Sequence, residues 1–152
     1  MDPFAIGLGY LGGAIALLGG AIGSSIGLGK AGSTGSAAIA EDPKQVRNVF
    51  LLAALPMTQT FYGFIVMIQF TMFLNSILQK TDVNFNLGAG LAMLGLGLAT
   101  CFAELLSAWY QGVVCASGIA ELPRTKGKIT FNTLILAVYV ELIGILGMVF
   151  SI

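Results

Sequence analysis

Histidine is absent from this 152-residue chain, and charged side chains make up only 9% of it. Without imidazole there is no histidine metal site and no ordinary acid–base group for work near neutral pH. Seven Lys/Arg balance seven Asp/Glu, so the net charge is zero and no basic face is available for nucleic acid. Of the two cysteines, Cys101 and Cys115, neither can pair with the other. They fall on one predicted helix, roughly 21 Å apart along its axis, beyond disulfide reach, and read as small packing residues. No nucleophile and base pair emerges, which argues against a free-standing enzyme.

Apolar residues fill the space left by these absences. The chain is 57% hydrophobic with a mean hydropathy of +0.92, far from the profile of a soluble domain. Lipid must be its main solvent. With 21 glycines and only four prolines, its helices can approach closely, as helices do when no hydrophobic force acts between them in a membrane.

Charged and turn residues cut the chain into four apolar blocks: Phe4 to Ala40, Val49 to Leu78, Phe85 to Ala120 and Ile129 to Ile152. Each exceeds the ~20 helical residues that cross a ~30 Å hydrocarbon core. The fold expected is an all-α membrane protein of four transmembrane helices. The start, Met1-Asp2-Pro3, lacks the basic flank of a signal peptide, so the first block reads as a retained helix. Connectors run from Glu41 to Arg47, Gln79 to Asn84 and Glu121 to Lys128. The first and third hold Lys44, Arg47, Arg124, Lys126 and Lys128, whereas the middle one holds only Lys80. The positive-inside rule then puts those two connectors in the cytoplasm, with both termini and the middle connector on the other side.

An internal repeat divides the chain the same way. Ile39-Ala40-Glu41-Asp42-Pro43-Lys44 recurs about 80 residues later as Ile119-Ala120-Glu121-Leu122-Pro123-Arg124. Residues 1–80 read as one helical hairpin and 81–152 as its duplicate. Further on, Tyr62-Gly63-Phe64-Ile65-Val66 lines up with Leu146-Gly147-Met148-Val149-Phe150 at a spacing of 84, which sets Glu141 opposite Met57, so only the second hairpin has a carboxylate in that span.

Lys30, Glu104 and Glu141 are the charges inside apolar blocks. A charged side chain at mid-membrane costs roughly 2.5 to 3.5 kcal/mol even on the lenient insertion scale, so such residues need a partner or a function. Lys30 can snorkel toward the cytoplasmic interface. Glu141 cannot, lying about 20 Å of helix beyond Lys128. Thr58, Gln59 and Gln111 reach comparable depths from the same side, so three helices offer oxygen atoms at one level. Pro56, beside them, removes a backbone hydrogen bond and frees carbonyl oxygen nearby. A carboxylate, two amide oxygens, a hydroxyl and a carbonyl would suit a hard monovalent cation such as Na⁺. The plainer reading is interhelical hydrogen bonding with Glu141 protonated. Glu104 lies almost on the Gln111 face, two turns further from the cytoplasm. It could line a water-accessible surface, pair with a polar neighbour or belong to an ion path. Two glycine runs, at Gly7–Gly12 and Gly27–Gly32, have dinucleotide-fingerprint spacing but no βαβ context, and read as thin helix faces.

These features together resemble the rotor-ring proteolipid subunit, of c/K type, in V-type and A/V-type rotary ATPases. The resemblance covers essentially the whole chain. It rests on the duplicated hairpin, the Gly-rich first helix, the segment Leu55-Pro56-Met57-Thr58-Gln59-Thr60-Phe61-Tyr62-Gly63, Gln111-Gly112, and Val138-Tyr139-Val140-Glu141-Leu142. For the sodium-pumping branch it implies Na⁺ held by the Leu55 carbonyl, Thr58, Gln59, Gln111 and Glu141, with Tyr62 hydrogen-bonded to the glutamate. Glu104 departs from that pattern.

The resemblance further implies a homo-oligomeric ring in lipid, turning against a stator membrane subunit that supplies an arginine, and coupled through a central-stalk subunit to a soluble ATPase head. The implied role is ion carriage and not catalysis. H⁺ in place of Na⁺ is the nearest alternative. A small secondary transporter is a more distant one, disfavoured because such proteins usually carry inverted repeats and this duplication is parallel. The sodium-type ligands point to a bacterial cell membrane.

Overall fold

The computed structural model describes residues 2–80 and 84–152. Met1 and residues 81–83, the latter inside the expected middle connector, lie outside the described residues. Four stretches are long and apolar enough to cross a membrane: Pro3–Glu41, Pro43–Leu78, Leu87–Ala120 and Thr130–Val149.

The first span is one unbroken helix, α1 (Pro3–Glu41), about 58 Å long. Pro3 stands in its first turn, where a missing N–H costs nothing, and the Asp2 carboxylate caps it by accepting from Phe4 N–H at 3.0 Å. The second span starts earlier than its expected limit at Val49. Pro43–Gln45 forms a 3₁₀ turn that runs into α2 (Val46–Ala54), so most of the first connector is helical. Pro56 cannot donate to the carbonyl four residues back, and the helix tightens there into a second 3₁₀ turn, Leu55–Met57, before continuing as α3 (Thr58–Leu78).

The third span is α4 (Leu87–Ala120), capped by the Asn86 side chain accepting from Ala89 N–H at 3.1 Å. The third connector also contains structure: α5 (Leu122–Thr125) is a single helical turn. Lys126 (φ 51°) and Gly127 (φ 80°) then reverse the chain through the left-handed region, leading into α6 (Thr130–Val149).

Helix α1 is the centre of the bundle, packed parallel to α4 and antiparallel to α3. Glycine makes that approach possible. A Cβ on Gly12 would stand 2.6 Å from the Met93 carbonyl oxygen, and one on Gly23 would stand 2.5 Å from that of Leu105. Against α3, a Cβ on Gly63 would stand 2.5 Å from the Ala16 carbonyl oxygen. Of the two glycine runs expected to form thin faces, Gly9, Gly12 and Gly27 lie in the seam between the first and third spans, whereas Gly7, Gly29 and Gly32 face open space. Helix α6 lies outside this trio, antiparallel to α4, and exposes Phe131 (68%), Leu136 (57%) and Tyr139 (63%).

The ends of the bundle are distinct. At one, Asp2 N–H donates to Phe85 O at 3.2 Å, joining the starts of the first and third spans. At the other, Glu41, Asp42, Lys44 and Gln45 share a cavity of about 470 Å³ with Pro123 and Lys126, so both basic connectors gather there. The Asp42 carboxylate accepts from Gln45 Nε2 at 2.9 Å and from Lys44 N–H at 3.1 Å. Those bonds, the Gln45 side chain first, hold its pKa below the ordinary 3.8.

Candidate functional site

Glu141 lies midway along α6, where α6 crosses α3 and α4. Its Oε1 accepts from the Tyr62 hydroxyl at 2.7 Å, and its Oε2 accepts from Gln111 Nε2 at 3.2 Å. Tyr62 is one turn past Thr58 on α3, and Gln111 points from α4 toward α6, where its Nε2 also donates to Ala137 O at 3.2 Å. Gln59 Nε2 donates to Gln111 Oε1 at 2.8 Å and to Ser107 Oγ at 3.1 Å, and Ser107 Oγ in turn donates to Val140 O at 2.9 Å. Tyr62, Glu141, Gln111, Gln59 and Ser107 are thus linked across three helices inside an apolar bundle. Gln59 and Gln111 are fully buried and Ser107 is 1% exposed. In such surroundings each bond is strong and each missing partner costly.

Thr58 and Leu55 adjoin this network. The Thr58 hydroxyl donates to Leu55 O at 3.1 Å and to Gln59 Oε1 at 3.2 Å, and does not reach Glu141. The Leu55 carbonyl also accepts the Thr58 backbone N–H, as the 3₁₀ turn requires. The carbonyl that Pro56 leaves without its usual donor is that of Leu52, while the Leu55 carbonyl, the ligand the resemblance implies, is engaged within its own turn. The hydroxyl, amide and carbonyl oxygens are nonetheless clustered, because the tightened turn places Leu55 and Thr58 together.

Glu104 is fully buried, and neither carboxyl oxygen has a hydrogen-bond partner among the described residues. It faces α6 at Gly144, where an added Cβ would stand 2.7 Å from Oε2. Of the expected alternatives, a water-accessible surface and a polar partner are both at odds with this placement. Lys30 is exposed, with Nζ 5.1 Å from the Trp109 ring centroid, a cation–π contact on a face of α4 roughly opposite Gln111. It takes no part in the network. Both cysteines are free.

Sequence reasoning missed Ser107 and Gly144. Ser107 stands one turn before Gln111 on the same helix face, a spacing that marks it in hindsight. Gly144 interrupts the bulky residues of α6 one turn after Glu141, and its missing side chain makes room for the Glu104 carboxyl.

The fold and site define a multi-pass helical membrane protein with a mid-span carboxylate held between three helices. The family model of the ATP synthase C subunit matches residues 5–70 and 94–152, and the chain belongs to that family. Over 130 residues it is 34% identical to the V-type sodium ATPase subunit K of Enterococcus hirae, a match covering 86% of this chain and 78% of that protein. It is 30% identical over 152 residues to the A-type ATP synthase subunit K of Methanocaldococcus jannaschii, spanning 100% of this chain but 62% of that relative. The chain is thus a c/K-type rotor proteolipid of the V/A-type ATPases.

Proposed function

We propose that this chain carries Na⁺ across the membrane at Glu141, as one of many identical copies in a rotating ring. The observation that carries the reading is the Glu141 carboxylate, held at mid-span by Tyr62 and Gln111. Linked to it through Gln111 are the oxygens of Gln59, Thr58 and Leu55. Together they make an all-oxygen set with a single negative charge, which suits a hard monovalent cation. The sodium ATPase relative supports Na⁺ over H⁺. Tyr62 serves as a positioning residue, fixing the carboxylate by donating to the oxygen that Gln111 leaves free.

Ion occupancy gates rotation in this reading. An ionised glutamate resists entering lipid, whereas one neutralised by Na⁺ enters readily. A stator subunit with an arginine would displace the ion between an entry path and an exit path. A central stalk would link the ring to a soluble ATPase head, so the chain moves ions without being catalytic itself. Moving one charge against 100 mV costs about 2.3 kcal/mol, so ring size sets the gearing. Hairpins 1–80 and 81–152 are duplicates, and only the second has the carrier carboxylate. The end holding both basic connectors faces the cytoplasm of a bacterial cell, and the termini face outward.

The test is carbodiimide modification of Glu141 in the detergent-solubilised assembly, titrated with Na⁺ at several pH values, since the reagent needs a protonated carboxyl. Protection by Na⁺ that weakens in Thr58→Ala and Gln111→Ala is expected. Modification that follows pH but ignores Na⁺ would make this a proton rotor. Absence of modification at Glu141 would overturn the ion-carrier reading.

A further inference from the structure

A second carboxyl stands in the seam between α4 and α6, and the Glu141 network does not use it. Glu104 is fully buried, and both its oxygens lack partners among the described residues. An ionised carboxylate left without a counter-charge in an apolar interior is among the costliest arrangements a protein can hold, so a positive charge must accompany it. No cationic side chain among the described residues does so: their ion pair, Arg124 with Glu121, lies in the third connector, and Lys30 rests on Trp109.

The surroundings form a small cradle. The point where a Cβ on Gly144 would sit is 2.7 Å from Glu104 Oε2 and 3.1 Å from Ser107 Oγ. Gly147, the next glycine on α6, faces the same carboxyl, with a would-be Cβ 3.9 Å from Oε1. Ser107 Oγ donates to Val140 O and accepts from Gln59, which leaves it a second lone pair. Glu141 turns its oxygens to Tyr62 and Gln111, and neither carboxyl oxygen of Glu104 is hydrogen-bonded to it.

We infer that Glu104, with Ser107 beside it and Gly144 and Gly147 opposite, is a second monovalent-cation position in each copy of the chain, occupied by a proton or by Na⁺. A divalent ion would leave excess positive charge beside the one unpartnered buried carboxylate among the described residues. This deepens the proposed function, because both cations then sit within the same three-helix interior. The second is enclosed between α4 and α6.

The test counts cations in the purified, detergent-solubilised assembly. Bound radioactive sodium per chain is measured for the wild type, Glu104→Gln and Glu141→Gln, and infrared spectra are searched for the C=O stretch of a protonated carboxylic acid. Two sodium ions per chain, with one lost in Glu104→Gln, would support the position with Na⁺ as its occupant. One sodium ion per chain, together with an acid C=O band that Glu104→Gln removes and Glu141→Gln retains, would support it with a proton. One sodium ion or none, with no acid band belonging to Glu104, would overturn the inference, as would loss of the Glu104 signal in Glu141→Gln. Gly144→Ala presses a methyl group against Oε2 without changing charge. It should shift the acid band or expel the second sodium ion, and serves if Glu104→Gln does not assemble. Sodium binding that survives intact in Glu141→Gln would instead defeat the proposed function, leaving Glu104 to be judged by its own variants.

Discussion

Replacing Tyr62 with Phe removes one oxygen atom and keeps the ring that packs α3. In the wild type that oxygen donates to Glu141 Oε1 at 2.7 Å, a short bond, while Gln111 serves the other carboxyl oxygen. The size of the loss depends on whether the carboxylate is charged. Neutral interhelical hydrogen bonds in a membrane protein average about 0.6 kcal/mol, whereas bonds to charged groups contribute about 1.5 to 3 kcal/mol. At about 1.4 kcal/mol per decade, the first corresponds to roughly threefold and the second to about 10- to 100-fold. The ion-bound site contains an ionised Glu141, so the larger figure applies. The midpoint for Na⁺ protection of Glu141 against carbodiimide should therefore rise at least about tenfold in Tyr62→Phe. A midpoint within about threefold of wild type, in an assembly of unchanged Tm, would refute a charged, Tyr62-anchored carboxylate.

Other consequences can be checked separately. Gly23→Ala drives a methyl group against the Leu105 backbone and should destabilise the bundle by about 1 to 3 kcal/mol, read as a lowered Tm in detergent. Gly29 has open space at its Cβ position within the chain, so Gly29→Ala should leave Tm unchanged or raise it, and a fall would place a neighbouring copy on that face. The Asp42 pKa lies below 3.8, so its contribution to stability is complete above the unfolded pKa and lost as pH falls through the folded value. Carbon-detected NMR should find its midpoint below 3.8, moving upward in Gln45→Ala, and an unmoved midpoint would remove Gln45 as the leading cause. Thr58→Ala should weaken Na⁺ protection less than Gln111→Ala, because Thr58 bonds to Leu55 and Gln59 while Gln111 touches the carboxylate itself.

Much of this protein is written in its one-dimensional pattern. The length and spacing of apolar blocks dictate four spans, because a backbone in lipid must satisfy its own hydrogen bonds and does so as helix. The depth of Glu141, Gln111 and Gln59 follows from counting residues from the charged connectors, since helix rise is constant. Helix boundaries were less legible. Pro43–Arg47 reads as a polar connector but coils into the second span, because Asp42 caps the turn and Pro43 suits its start.

What only the tertiary structure decided is which groups spend their hydrogen bonds on one another. Glu141 chooses Tyr62 and Gln111, Thr58 turns back to Leu55, and Ser107 joins Gln59 to α6. Residue spacing gives the depth of a side chain along its own helix, but not the rotation of one helix against another. That rotation comes from the fit of glycine faces against neighbouring backbones, as at Gly12, Gly23 and Gly63. Glu104 is the clearest case. The sequence by itself marked it as a carboxylate in an apolar span, and left open what it faces. Packing alone turned it toward Gly144 and away from every described partner, since the missing side chain on α6 leaves the space that admits it.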